Sequence, residues 1–335
     1  MQYIKLFSVL GSVAAIATAL SVATPAQAQT VKVDGSSTVY PITEAVAEEF
    51  QKMKRGAVKV TVGISGTGGG FKKFCRGETD ISNASRPITK KEMEDCKQAG
   101  ITYLEMPIAY DALTVVINPK NTWAKSMTVS ELKKMWEPAA QGKVTNWNQI
   151  NPAFPNAPLK LFGAGADSGT FEYFTEAIVG KSKASRGDFT ASEDDNVLVT
   201  GVSRDVNGIG YFGYAYFEAN RGKLAAVSIV AGDGKPAVAP SEQTVENGSY
   251  QPLSRPIFIY VNGKSAAKPE VKEFIEYFNK NATQLVKEVK YVPLPGKAYT
   301  YNMETLGKMR LGTKFGGENK VGLTIEQLMQ LEAKL

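Results

Sequence analysis

Four times along this chain a short run rich in β-branched residues ends in a cluster of Gly, Ser and Thr that gives way at once to a helical stripe. The run VKV at 31 leads into "DGSSTVYP" (34–41) and the stripe Ile42, Ala45, Val46, Phe50 and Met53. The run VKVTV at 58 leads into "SGTGGGFKKFC" (65–75), with Phe71, Phe74 and Cys75 on one helical face. The run DIS at 80 leads into "NASRP" (83–87), and LKLF at 159 leads into "GADSGTFEYF", where Ser168 precedes Phe171, Phe174 and Ile178. A strand that feeds a helix through a short turn, repeated, predicts an α/β fold with mostly parallel strands. Each turn then lies beyond the carboxyl end of its strand, the edge at which open α/β sheets hold ligands. Further strands are predicted at ALTVVI (112), GIGYF (208), AAVSIV (225) and PIFIYV (256). Further helices are predicted behind the capping boxes Thr128-x-x-Glu131 and Thr89-x-x-Glu92, and after Pro269, where Val271, Phe274, Ile275 and Phe278 form a stripe.

At 335 residues the chain exceeds one ordinary hydrophobic core. It shows no internal repeat and no low-complexity linker, so two lobes have to be joined by strands running through both. The long apolar runs "MPIAYDALTVVINP" (106–119) and "SRPIFIYV" (254–261) are the candidates. This predicts a discontinuous first lobe, residues 29–110 and 255–335, and a second lobe, residues 111–254, around a cleft that closes by hinge bending.

The first 28 residues carry a single lysine, Lys5, then an apolar stretch ending in Ala26-Gln27-Ala28. That is the pattern of a cleaved secretory signal, residues 1–28, with an uncleaved membrane anchor as the alternative. Export to the periplasm is the expectation, and no cysteine near Ala28 offers a lipid attachment point. The net charge of +6 is mild, with basic residues interspersed among acidic ones, which argues against a nucleic-acid partner. The only cysteines, Cys75 and Cys96, are predicted to form a disulfide in an oxidising compartment. Two reduced, buried thiols are the alternative; a zinc site is not, because the chain has no histidine.

The missing histidine also bars a Ser-His-Asp triad around Ser168, and no G-x-S-x-G elbow surrounds Ser168, Ser36 or Ser85. The Walker register fails at both "GKS" triplets, where Thr175 and Phe258 stand in place of the required glycine. What remains is a set of helix starts offering N–H and O–H donors with little charge, the chemistry for holding a small desolvated oxyanion. Arg86 is the only basic residue inside one of the four loops, and its guanidinium can match two oxygens of a phosphate.

In this order, "DGSSTVYP", "SGTGGGFKKF", "DISNASRPI", "YDALTVVINP", "GADSGTFEYF" and "LSRPIFIYVNGK" resemble the substrate-binding protein of the high-affinity phosphate ABC transporter over nearly all of residues 31–280. The resemblance implies a type II periplasmic binding fold, inorganic phosphate bound dry between two lobes, delivery to a membrane permease, a monomer, and no cofactor. Carried over by motif, it implies donors at Ser37, Thr38 and the N–H of Val39, at Ser65 and Thr67, at Ser85, and at Ser168, Gly169 and Thr170. Two positions depart from the better-known branch. Ser85 stands where an aspartate would accept the phosphate proton, and Ala164 stands where an arginine would lie, a charge that Arg86 can replace from another loop. Asp111, Asp167 and Asp195 are the candidate proton acceptors. The rival readings are a carrier of sulfate or molybdate and a secreted phosphatase or serine hydrolase.

Overall fold

A computed structural model describes residues 29–166, 168–192, 194–318, 325–331 and 333–335. The expected signal segment, 1–28, and Asp167 lie outside the described residues. The four strand-to-helix units form as expected. They are β1 (Gln29–Gly35) with α1 (Tyr40–Met53), β2 (Val58–Ile64) with α2 (Gly66–Cys75), and β3 (Ile81–Ala84) with α3 (Lys90–Gln98). β4 (Tyr103–Ile117) follows, then the short β5 (Ser126–Thr128), α4 (Val129–Trp136) and the single turn α5 (Trp147–Ile150). The fourth unit is β6 (Lys160–Ala164) with α6 (Gly169–Phe174); β7 (Thr190–Ser192), α7 (Asp195–Arg204) and β8 (Gly208–Gly213) come next. Three short strands, β9 (Ala225–Ala226), β10 (Ser228–Val230) and β11 (Ala237–Val238), precede β12 (Ser254–Asn262), and β13 (Val292–Pro293) comes last.

Eight strands run in the order β2-β1-β3-β12-β4-β8-β6-β7. β1, β2 and β3 are parallel, as are β8, β6 and β7; β12 and β4 are antiparallel to their neighbours. All fifteen residues of β4 are buried, which is why its sequence shows no polar–apolar alternation; Glu105, Asp111 and Thr114 are its buried polar positions. β4 pairs with β12 from Tyr103 to Ala112 and with β8 from Leu113 to Ile117. The two predicted crossing runs are therefore neighbours, and β4 belongs to both halves of the molecule.

Helix faces pack largely as the periodicity predicts: Ile42, Val46, Phe50, Phe71, Phe74, Phe174, Val271, Phe274, Ile275 and Phe278 have no exposed surface. Met53 does not; it is about half exposed because it is the last residue of α1, beyond the strands. Both capping boxes are present. Beyond β6, the ring of Phe174 stacks on Tyr211 with centroids 3.6 Å apart, and Trp136 meets both edge-on. That aromatic cluster anchors the end of α6. In the other half the Cys75–Cys96 disulfide joins the ends of α2 and α3.

Candidate functional site

The loops after β1, β2 and β3 interlock through their backbones. The Ser36 N–H donates to the Asn83 carbonyl and the Ser65 N–H to the Gly35 carbonyl, each at 3.0 Å. Gly35 has φ +142°, and a side chain there would run into the backbone of Asn83. Asn83 also takes the Thr43 hydroxyl at 3.0 Å, which holds the first turns of α1 against β3. Neither α1 nor α2 has a side-chain cap. Helix starts without a side-chain cap are where N–H donors can attract an anion; in α1 the Tyr40 and Ile42 N–H groups already go to the Ser36 and Val39 carbonyls and Pro41 has none, so the donors there belong to the loop before it.

Ser37 and Thr38 are half-buried on this edge, and Val39 is fully buried, so only its backbone can serve a ligand. Thr67 and Ser85 are buried side by side: their hydroxyl oxygens lie 3.0 Å apart, and the Ser85 N–H donates to Thr67 Oγ1 at 3.1 Å. Ser65 is not brought into this group. It is exposed, and its hydroxyl donates to Asp34, whose other oxygen pairs with Lys73 at 2.7 Å.

From the other side comes the start of α6. Ser168 caps it, its oxygen accepting the Thr170 N–H at 3.1 Å, which leaves the serine proton available to donate. Gly169 packs directly on the Thr38 hydroxyl, so closely that a Cβ there would collide with it. Donors on the β1 loop and donors on the β6 loop thus face one another across the cleft.

Arg86 lies beside the Thr67–Ser85 pair, over the ring of Phe71. Its Nη1 and Nη2 each donate to Glu92 at 2.9 Å, and Nη1 also reaches the Pro87 carbonyl at 3.1 Å. Burial alone would lower its pKa; the Glu92 carboxylate outweighs that and raises it, with Glu176, from beyond α6, adding to the effect. The guanidinium is therefore a fixed cation. Glu92 also closes the α3 capping box with Thr89. One carboxylate both caps a helix and aims an arginine, a second role that the box pattern alone does not reveal. Lys72 and Arg204 are exposed.

A second guanidinium went unrecognised in the sequence. Arg255 sits at the crossing of β4 and β12, opposite Asp111 in the register, 3.3 Å from it and 3.7 Å above the ring of Tyr173. The signal was present: Ser-Arg-Pro-Ile occurs twice, at 85–88 and at 254–257. Burial pushes the Asp111 carboxyl up, against the pull of Arg255. Asp111 and Asp195 both line a cavity shared with Thr170.

A family model for the PBP superfamily domain matches residues 21–281. The protein named SphX from Synechococcus elongatus is 53% identical over 97% of this chain and 96% of its own length. The phosphate-binding protein PstS of Staphylococcus saprophyticus is 38% identical over 82% of this chain and 84% of its own length. Among solved structures, a possible phosphate binding protein from Planctomyces limnophilus superposes with a TM-score of 0.74 at 49% identity, covering 84% of this chain and 98% of that one.

Proposed function

This chain belongs to the PBP superfamily, among the phosphate-binding proteins, and from that premise we propose that it captures inorganic phosphate between its lobes and hands it to an ABC permease. The observation that supports the reading is the contact of Gly169 with Thr38, which brings a donor-bearing loop of each half together. The ligand set is Ser37, Thr38, the Val39 N–H, Thr67, Ser85, Arg86, Ser168, Gly169 and Thr170, without Ser65. The lobes are residues 29–110 with 255–335, and 111–254; the change of β4's partner between Ala112 and Leu113 supports this division.

A carboxylate is not needed to take the phosphate proton. If Ser85 donates to Thr67, both lone pairs of Ser85 Oγ are open and Thr67 still has a proton to give. The pair can thus accept from a protonated oxygen while donating to an unprotonated one. Among the described residues Asp34, Glu92 and Asp111 are each held by a cation. The protein acts as a carrier and not as a hydrolase, reached by export as a monomer; no helix among the described residues is long and apolar enough to cross a membrane.

Titration calorimetry with phosphate, sulfate and molybdate tests the reading. Phosphate binding tightest is the expected result, and no binding of phosphate overturns it. Turnover of a phosphate ester by the purified protein would restore the hydrolase alternative.

A further inference from the structure

Behind the Thr38–Gly169 contact the cleft is not filled. A cavity of about 230 Å³ begins at Pro41, in the first turn of α1, and at Thr170, in the first turn of α6. Thr170 is also one of the proposed donors, so the cavity adjoins the proposed phosphate position. Its floor is Asp111 on β4; its walls include Tyr214 and Tyr291. The volume is several times the ~30 Å³ that one water occupies in the liquid, and far more than a fourth phosphate oxygen needs.

The lining defines what could enter. Aromatic faces favour apolar matter, and tyrosine hydroxyls take polar ends. Asp111 is neutralised by Arg255, and the lining holds one further carboxylate, Asp195, and one ammonium, Lys290. A chamber with balanced charge suits an uncharged group and repays neither an ammonium nor a carboxylate for its lost hydration.

We infer that this chamber admits a small uncharged substituent on the anion, so that the site takes alkylphosphonates and compact phosphate monoesters as well as inorganic phosphate. The inference rests on the phosphate reading above and extends its substrate class. The phosphonate oxygens occupy the donors of both lobes, and an alkyl or hydroxyalkyl group of about two to four heavy atoms points past Thr170 toward Tyr291.

Gly213 supplies the test. It lines the cavity, its backbone (φ −59°, ψ 141°) suits any residue, and a Cβ built on it meets no atom within 4 Å. Gly213→Leu therefore places a side chain in the chamber without touching the ligand donors. Calorimetry on the full mature chain, parent and variant, uses inorganic phosphate, ethylphosphonate and phosphonoacetate. Phosphate should bind both proteins within about twofold, the usual span for a substitution that disturbs no contact. Ethylphosphonate should bind the parent and lose about tenfold or more in Gly213→Leu, and phosphonoacetate should bind neither well.

If ethylphosphonate neither gives heat with the parent nor displaces phosphate, while phosphate binds, the inference falls and the phosphate reading stands. Equal ethylphosphonate binding by parent and variant also overturns it. If phosphate itself fails to bind, the carrier reading falls first, and only ethylphosphonate binding that is lost in Gly213→Leu would keep the chamber. Should Gly213→Leu fail to fold, the displacement experiment on the parent still decides.

Discussion

Arg86→Ala removes the guanidinium beside the Thr67–Ser85 pair and leaves the partly buried Glu92 without its cation. Loss of a buried charge-assisted pair typically costs about 2–5 kcal/mol, so phosphate binding should weaken roughly thirty- to several-thousand-fold, as measured by calorimetry. A variant that binds like the parent would move the charge to Arg255. Ser85→Ala is the subtler change: Thr67 keeps a proton to donate, while the acceptor for a protonated oxygen is lost. The phosphate-to-sulfate affinity ratio should fall by about tenfold, the worth of one hydrogen bond to a charged group, with sulfate little changed. An unaltered ratio would return the proton to a carboxylate. The hydroxyls and glycines of this site were legible in the sequence because small polar residues before a helical stripe have a physical reason to be there. The Ser65 hydroxyl's partner, Asp34, was not legible because it comes from a different strand. Arg255 was passed over because a charged residue inside a strand reads as an interruption of the core until the crossing partner is known.

At the scale of elements, β12 does more than connect. The Tyr260 hydroxyl accepts the Ile88 N–H at 2.9 Å and donates to Glu105 on β4 at 2.6 Å. Glu105 also takes the Thr313 hydroxyl and the Lys314 N–H, and burial raises its pKa despite these donors. The loop that carries Ser85 and Arg86 is thereby tied through one phenol to a strand and to residues near the chain end. Tyr260→Phe strands a buried N–H and takes a donor from a buried carboxyl, each costing about 1–3 kcal/mol. Unfolding free energy should drop by about 2–6 kcal/mol in urea titration, with phosphate affinity reduced as the Ile88 segment loosens. A change within about 0.5 kcal/mol would show that the network is decorative. None of these links could be read from the sequence, since they join positions with separations of 155 to 209 residues. The strands, the helices and their caps could be, because those depend on neighbours.

For the whole molecule, closure and binding should be one event. Phosphate should compact the protein in small-angle scattering, because its donors meet only when Gly169 reaches Thr38. Gly169→Val puts bulk at that contact and should both abolish the compaction and weaken binding by at least about tenfold, ~1.4 kcal/mol. Identical scattering profiles with and without phosphate would refute closure. Two lobes and a strand at 106–119 passing through both were foreseeable from two apolar runs and a missing linker; the strands it pairs with were not, since pairing partners are invisible to periodicity. That shared strand carries a consequence for the protein's modularity. Within two residues of the proposed lobe boundaries, Ala112 and Ser254 are register partners in an antiparallel pair. Deleting 113–253 and bridging the gap with Asn-Gly would turn β4 and β12 into an ordinary hairpin. The whole second lobe is thus, in topological terms, an insertion in the loop of a hairpin. The excised first lobe should fold alone, with a single cooperative thermal transition, and a broad, non-cooperative melt would show that its core depends on the inserted half.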